Sequence, residues 1–144
     1  MPRQEQSVDF SGVTLPAELD YIWPKVVGLI ERGLRHGQGD GTTSEVLRHR
    51  IITGDMLMWA IHDGEDVKGV VILSVNVHAT GKKLFVEMLA GRNPEEWQDQ
   101  LIVLLRDFRD VVGAMCIEAS CRRGIVKKLY DLGWREKAVV MELE

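Results

Sequence analysis

The chain contains only two cysteines, no apolar run near the roughly 18 residues of a membrane helix, and no excess of positive charge. Each absence removes a class of function. Cys116 and Cys121 lie close together without a companion pair, which excludes a disulfide framework and a cysteine-only zinc site, so they read as reduced thiols. The opening MPRQEQSVDF lacks the apolar core of a secretion signal, and a soluble, cytoplasmic protein is expected. With 18 Lys and Arg against 22 Asp and Glu, the formal charge of -4 offers no global attraction to nucleic acid or anionic lipid, and neither is expected as a partner. His36, His49, His62 and His78 show no metal-ligand spacing and no adjacent nucleophile, so no metal is expected. Internal repeats and low-complexity stretches are also missing.

What is present is globular. Of 144 residues, 45% are hydrophobic and 28% charged, which fits one domain over 1–144, with residues 1–12 free to extend as an arm. Val13 to Leu15 can form an edge strand. Leu19, Ile22, Trp23, Val26, Val27, Ile30 and Leu34 recur at helical spacing, and Pro24 belongs in the first turn of that helix or kinks it. HGQGDGTT ends it, and Thr42 with Glu45 has the spacing of a capping box for a short second helix ending near Gly54. Met56 to Ile61, Val67 to Val77 and Lys83 to Ala90 then read as three strands joined by the turns HDGED and ATGKK, an antiparallel meander.

Asn93 is placed to cap a third helix with Pro94 at its first position, and Trp97, Leu101, Leu104, Leu105, Phe108 and Val112 form its apolar stripe. Ala114 to Glu118 reads as a strand, Ser120 as the cap of a last helix to Leu132, Gly133 as its left-handed end, and Ala138 to Leu143 as an alternating final strand. The expected class is α/β (α+β): a mixed, mainly antiparallel sheet with four helices in the order (β)ααβββαβαβ.

That order resembles the GCN5-related N-acetyltransferase (GNAT) family from about Val13 to Glu144, and KKLYDLGWREKAVVMELE is similar to the family's closing helix, Gly-aromatic turn and last strand. Trp23-Pro24, and Leu89-Ala90-Gly91 ahead of Trp97, also resemble small proteins of this fold encoded by tailed bacteriophages. The family resemblance implies acetyl-CoA as cofactor, held by a turn with an Arg or Gln and spaced glycines whose N–H groups face the pyrophosphate. Met88, Leu89, Gly91, Arg92 and Asn93 fall on those positions. The turn departs from the pattern: it has one glycine, Pro94 has no N–H to donate, and Glu95 and Glu96 bring negative charge to the helix start.

The resemblance also implies a tyrosine acid four residues before the closing glycine. Leu129 holds that spacing and Tyr130 comes one residue later, a rotation of about 100° around a helix. Tyr130 serves only if the helix end is remodelled, and otherwise packs beside the sheet. The family's Asn position falls on Arg122. Glu87, inside an apolar strand, is either a general base facing a cleft or an outward-facing residue. Cys121 is expected in the first turn of the last helix beside Arg122 and Arg123, and the sequence assigns it no catalytic triad. Arg122, Arg123, Lys127 and Lys128 can contact phosphate, though without the interleaved aromatics of a single-strand platform they read as a solvated helix face. Four tryptophans suit a core, as for Trp59 and Trp97, or an interface.

Two functions follow. The first is a non-catalytic binding or structural protein with a degenerate acyl-CoA turn, working with a protein partner or as a homo-oligomer in a phage particle or host cytoplasm. The alternative is an acetyl-CoA-dependent N-acetyltransferase acting on an amine, with the backbone near Met88 and Leu89 polarising the acetyl carbonyl.

Overall fold

The structure, a computed structural model, describes residues 8–35, 42–121 and 123–143. His36, Arg122 and most of the expected arm lie outside the described residues. The elements are β1 (Asp9–Val13), α1 (Pro16–Arg35), α2 (Ser44–Ile52), β2 (Leu57–Asp63), β3 (Asp66–His78), β4 (Gly81–Gly91), α3 (Gln98–Val112), β5 (Ala114–Ala119) and α4 (Val126–Asp131), with 3-10 turns at Pro94–Glu96 and Arg123–Ile125. The sheet runs β1-β2-β3-β4-β5, antiparallel except for the parallel β4–β5 pair. The meander and four helices are as the sequence predicts.

Two apolar layers sandwich this sheet. Leu19, Val26 and Ile30 of α1 with Leu47 and Ile51 of α2 pack against Met58, Val70, Ile72 and Ala90 on one face. Trp97, Leu101 and Leu105 pack against Ile61, Val71, Leu73, Leu84 and Val86 on the other. Each large apolar side chain buried this fully contributes roughly 1.5–3 kcal/mol, so the two layers are the main stabilising term.

Several local expectations change. The edge strand is Asp9–Val13 rather than Val13 to Leu15, because Leu15 donates its N–H to the Glu18 carboxylate at 3.0 Å and stands immediately before α1. Pro24 sits inside that helix on an exposed turn, where the missing N–H is tolerated beside water. Thr43, not Thr42, caps α2, its hydroxyl accepting from the Val46 N–H at 3.2 Å. Asn93 is left-handed (φ 49°) and makes no side-chain cap; Pro94–Glu96 form a 3-10 turn and α3 begins only at Gln98. Ser120 does not cap α4, which begins at Val126 after a second 3-10 turn. Ala138 to Leu143 is not a strand: residues 134–143 have no regular structure, although Trp134 packs on the α3 layer.

Candidate functional site

β4 carries the main irregularity. Ile72 pairs with Met88 and Leu73 with Val86, which leaves Glu87 as an extra, bulged residue. The bulge reverses the alternation of the strand: Leu84 and Val86 pack on the α3 layer, whereas Met88 and Ala90 pack on the α1 layer. Leu84 and Met88 therefore face opposite sides of the sheet, although strict alternation puts residues i and i+4 of a strand on one face. The β4–β5 ladder ends at Val86 with Ala119, while β4 continues to Gly91. From Glu87 onward β4 has β3 on one side and, among the described residues, no strand on the other. An open length of strand backbone can hydrogen-bond an extended, amide-bearing ligand.

Glu87 is exposed and accepts a 2.7 Å hydrogen bond from the hydroxyl of buried Ser74 on β3. The carboxylate is held from below and open above, an arrangement suited to accepting a proton from a bound amine. Ser74 was not among the sequence candidates. The only available signal was a lone hydroxyl in the apolar run VVILSV.

The turn after β4 is bound tightly to the start of β3. Arg92 donates its N–H to the Lys68 carbonyl at 2.7 Å, and its guanidinium reaches the Val67 carbonyl and the Asp66 carboxylate, each at 2.9 Å. The Trp97 indole donates to the Arg92 carbonyl at 2.9 Å and lies against Gly91. A Cβ on Gly91 would stand 2.8 Å from both the Trp97 ring and the Lys68 carbonyl, so glycine is required by space alone. The Glu96 and Trp97 N–H groups bond back to Asn93 and Pro94. Three N–H groups are thus committed inside the turn, and Pro94 has none.

Glu96 turns away to Lys68, 2.5 Å distant. That hydrogen bond, helped by the negative charge of Asp63 and Asp66 and opposed by desolvation, holds the Lys68 ammonium above the usual lysine range. Met88 is half-buried against α1, while Leu89, Arg92 and Asn93 are exposed. Of the residues expected to hold a cofactor, Met88, Leu89 and Gly91 lie at the end of β4 and Arg92 and Asn93 in the turn after it. Beside them is an open hollow of about 610 Å³ between α1 and the β2–β3 turn, lined by Lys25, Arg32, Arg35 and Arg92 with Glu65 and Asp66.

Tyr130 stands on α4, half-exposed, with its hydroxyl donating to Glu136 at 3.3 Å. No hydrogen bond joins it to Glu87 among the described residues. His62 is held locally by Ser11 at 2.6 Å and the Gly64 carbonyl at 2.9 Å. The thiols of Cys116 and Cys121 are not joined in a disulfide and both residues are half-buried, and Cys121 precedes α4 rather than lying in its first turn. Lys127 and Lys128 are exposed. Trp97 is buried, Trp59 meets Phe108 edge-on at 5.4 Å, and Trp23 takes Arg48 over its ring at 5.2 Å. No group of His, Cys, Asp and Glu among the described residues could hold a metal, and no helix there is long and apolar enough to cross a membrane.

A second charged cluster joins β5 to the C-terminal segment. Glu118 lies 2.8 Å from Lys137 and 3.3 Å from Lys83. Lys137 first, with Lys83 assisting and partial burial opposing, holds the Glu118 carboxyl below its usual range.

No protein-family model matches the chain, and no curated protein matches its sequence. Solved structures do match. An aminoglycoside acetyltransferase from an uncultured soil metagenomic sample, in complex with trehalose, superposes with a TM-score of 0.70 at 13% identity, over 95% of each chain. An aminoglycoside N-acetyltransferase in complex with CoA gives 0.71 at 14% identity, over 100% of this chain and 97% of that one. A ribosomal-protein-alanine N-acetyltransferase from Brucella melitensis biovar Abortus 2308 gives 0.71 at 13% identity, over 96% and 99%. Likeness at such identities is likeness of backbone, and it establishes that this chain has the fold of the GCN5-related N-acetyltransferases.

Proposed function

We propose that the protein is an acetyl-CoA-dependent N-acetyltransferase acting on an amine substrate. The observation that carries this reading is the bulged end of β4, open from Glu87 to Gly91 where β5 has stopped. The solved aminoglycoside N-acetyltransferase in complex with CoA supports it by sharing the fold. Fold alone leaves the chemistry open, so the proposal rests on what this chain places at that opening.

The unpaired backbone of β4 would hold the amide-bearing arm of the acyl donor, and N–H groups near Met88 and Leu89 would polarise the acetyl carbonyl. The amine nitrogen attacks that carbonyl carbon, the C–S bond breaks, and the nitrogen's proton passes to the Glu87 carboxylate, which Ser74 orients. The departing thiolate takes a proton from solvent, or from Tyr130 once its bond to Glu136 is released. The pyrophosphate would be met by cations rather than by a row of N–H groups. Arg92 is paired with Asp66 in a half-exposed contact worth only about 0–1 kcal/mol, so a phosphate can compete for it.

The turn itself favours a second reading, a GNAT-fold binding or structural protein that no longer loads acyl-CoA. Its N–H groups at Arg92, Glu96 and Trp97 are already used, and Pro94 supplies none. In that reading a place in a phage particle follows only from the resemblance carried by Trp23-Pro24 and Leu89-Ala90-Gly91. Thiol release from acetyl-CoA, followed with polyamines, aminosugars and peptide N-termini, separates the two. The first reading expects amine-dependent release, reduced about 10²–10⁴-fold by Glu87→Gln. Release no faster than without protein, for every amine class, supports the second.

A further inference from the structure

We propose that Ser11, His62 and the Gly64 carbonyl form a nucleophilic triad at the β1 edge of the sheet, which takes the acyl group of a carboxylic ester onto the Ser11 hydroxyl. That hydroxyl oxygen lies 2.6 Å from His62 Nε2, and the other ring nitrogen, Nδ1, lies 2.9 Å from the Gly64 carbonyl. A carbonyl oxygen only accepts, so Nδ1 of the neutral ring carries the hydrogen and Nε2 turns its lone pair to Ser11. The serine donates to a base already in the working tautomer. Nucleophile, base and orienting group stand in the relation that nucleophilic serine catalysis requires, with a backbone carbonyl in the place of a carboxylate.

The sequence separates Ser11 and His62 by 51 residues, and the sheet joins them. β1 and β2 pair with Asp9 opposite His62, which puts Asp9, Ser11 and His62 on one face. Gly64, left-handed at φ 59°, turns the hairpin after β2 and returns its carbonyl to the imidazole. Ser11 is exposed, so an ester reaches it from solvent. β1 ends the sheet, and successive N–H groups of a strand point alternately toward its neighbour and away from it. Of the Ser11 and Gly12 N–H groups, one therefore faces outward beside the nucleophile as a donor for the oxyanion. In the reaction, Oγ attacks the ester carbonyl carbon as its proton passes to Nε2; the C–O bond then breaks and the departing alkoxide takes that proton. Water attacks the acyl-serine through the same base and releases the carboxylic acid. Neither step uses CoA or Glu87, so this chemistry is separate from acetyl transfer.

Two measurements test it on the full chain, Ser11→Ala and His62→Gln: labelling by an alkyl fluorophosphonate, mapped by mass spectrometry, and hydrolysis of p-nitrophenyl acetate without CoA. Glutamine keeps an oxygen to accept from the Ser11 hydroxyl but is no base, so a bond that only ties β1 to β2 survives the change. The proposal expects the parent to carry the phosphonyl group on Ser11 and to hydrolyse the ester faster than buffer does. His62→Gln should slow both by about 10²–10⁴-fold and Ser11→Ala should abolish both, with unchanged far-ultraviolet circular dichroism. A parent that leaves Ser11 unlabelled overturns the proposal, whatever the variants do. So does labelling of Ser11 that proceeds equally fast in His62→Gln, because the hydroxyl would then react without the imidazole as base.

Discussion

Val86 and Met88 stand two residues apart on one strand yet face opposite sides of the sheet, Val86 in the apolar layer that holds Trp97 and Leu101, Met88 in the layer of α1. The extra residue between them, Glu87, causes the reversal. The same bulge brings a carboxylate to the place where β4 loses its β5 neighbour, so packing and the proposed chemistry depend on one irregularity.

Deleting Glu87 would restore strict alternation and turn Met88 and Ala90 away from the α1 layer. Displacing buried side chains of this size costs about 2–5 kcal/mol, and urea denaturation should show a loss in that range or no cooperative transition. Glu87→Gln keeps an oxygen for the Ser74 hydroxyl and should stay within about 0.5 kcal/mol of the parent. Equal stability for the deletion and the parent would mean that the bulge does not set the faces.

The strand was legible in the sequence and the bulge was not. Lys83 to Ala90 is apolar on both faces, so the residue pattern holds no mark of where alternation reverses, and register is a property of the pairing with β3. The helix after β4 shows the same limit. Its apolar stripe was readable, but its start moves to Gln98 because the Trp97 indole turns back onto the Arg92 carbonyl and fills the space over Gly91. Glu87, Arg92 and Gly91 could be singled out as unusual residues, whereas Ser74 and Lys68 become relevant only through contacts across the sheet. For Ala138 to Leu143 the strand-like pattern is real but pairs with no strand among the described residues, and pattern alone cannot supply one.

Gly91→Ala places a methyl group 2.8 Å from the Lys68 carbonyl and the Trp97 ring. Overpacking of this kind costs about 1–3 kcal/mol, and the turn and β3 must both shift to relieve it. Thermal unfolding should show the loss, together with a change in the near-ultraviolet signal of Trp97. A variant as stable as the parent would show that the turn is looser than its hydrogen bonds indicate.

Glu118 gives a pH dependence of known sign. Its folded-state pKa is lowered, chiefly by Lys137, so its contribution is present above the ordinary carboxylate range and is lost as pH falls through the folded value. Glu118→Gln should therefore lower the melting temperature near neutral pH, with the difference shrinking as the solution is acidified. Salt should weaken the effect, since both lysines remain partly exposed. A difference that grows on acidification would contradict the assignment.

Glu96→Gln removes a negative charge from the start of α3 and frees Lys68 from its partner. One charge at a helix start is worth about 0.3–1 kcal/mol, so acetyl-CoA affinity should rise by roughly 2–5-fold at low ionic strength and by less in salt. Equilibrium competition against a fluorescent CoA analogue would measure it, and weaker binding by the variant would place the phosphates away from this turn.

Calorimetric titration of the purified protein with acetyl-CoA tests the central claim most directly. The open end of β4 predicts one site per chain at micromolar strength, with matching thermal stabilisation by CoA. No heat and no stabilisation, for the parent and for Glu96→Gln alike, would contradict an acyl-CoA-dependent enzyme and leave the fold serving as a binding scaffold.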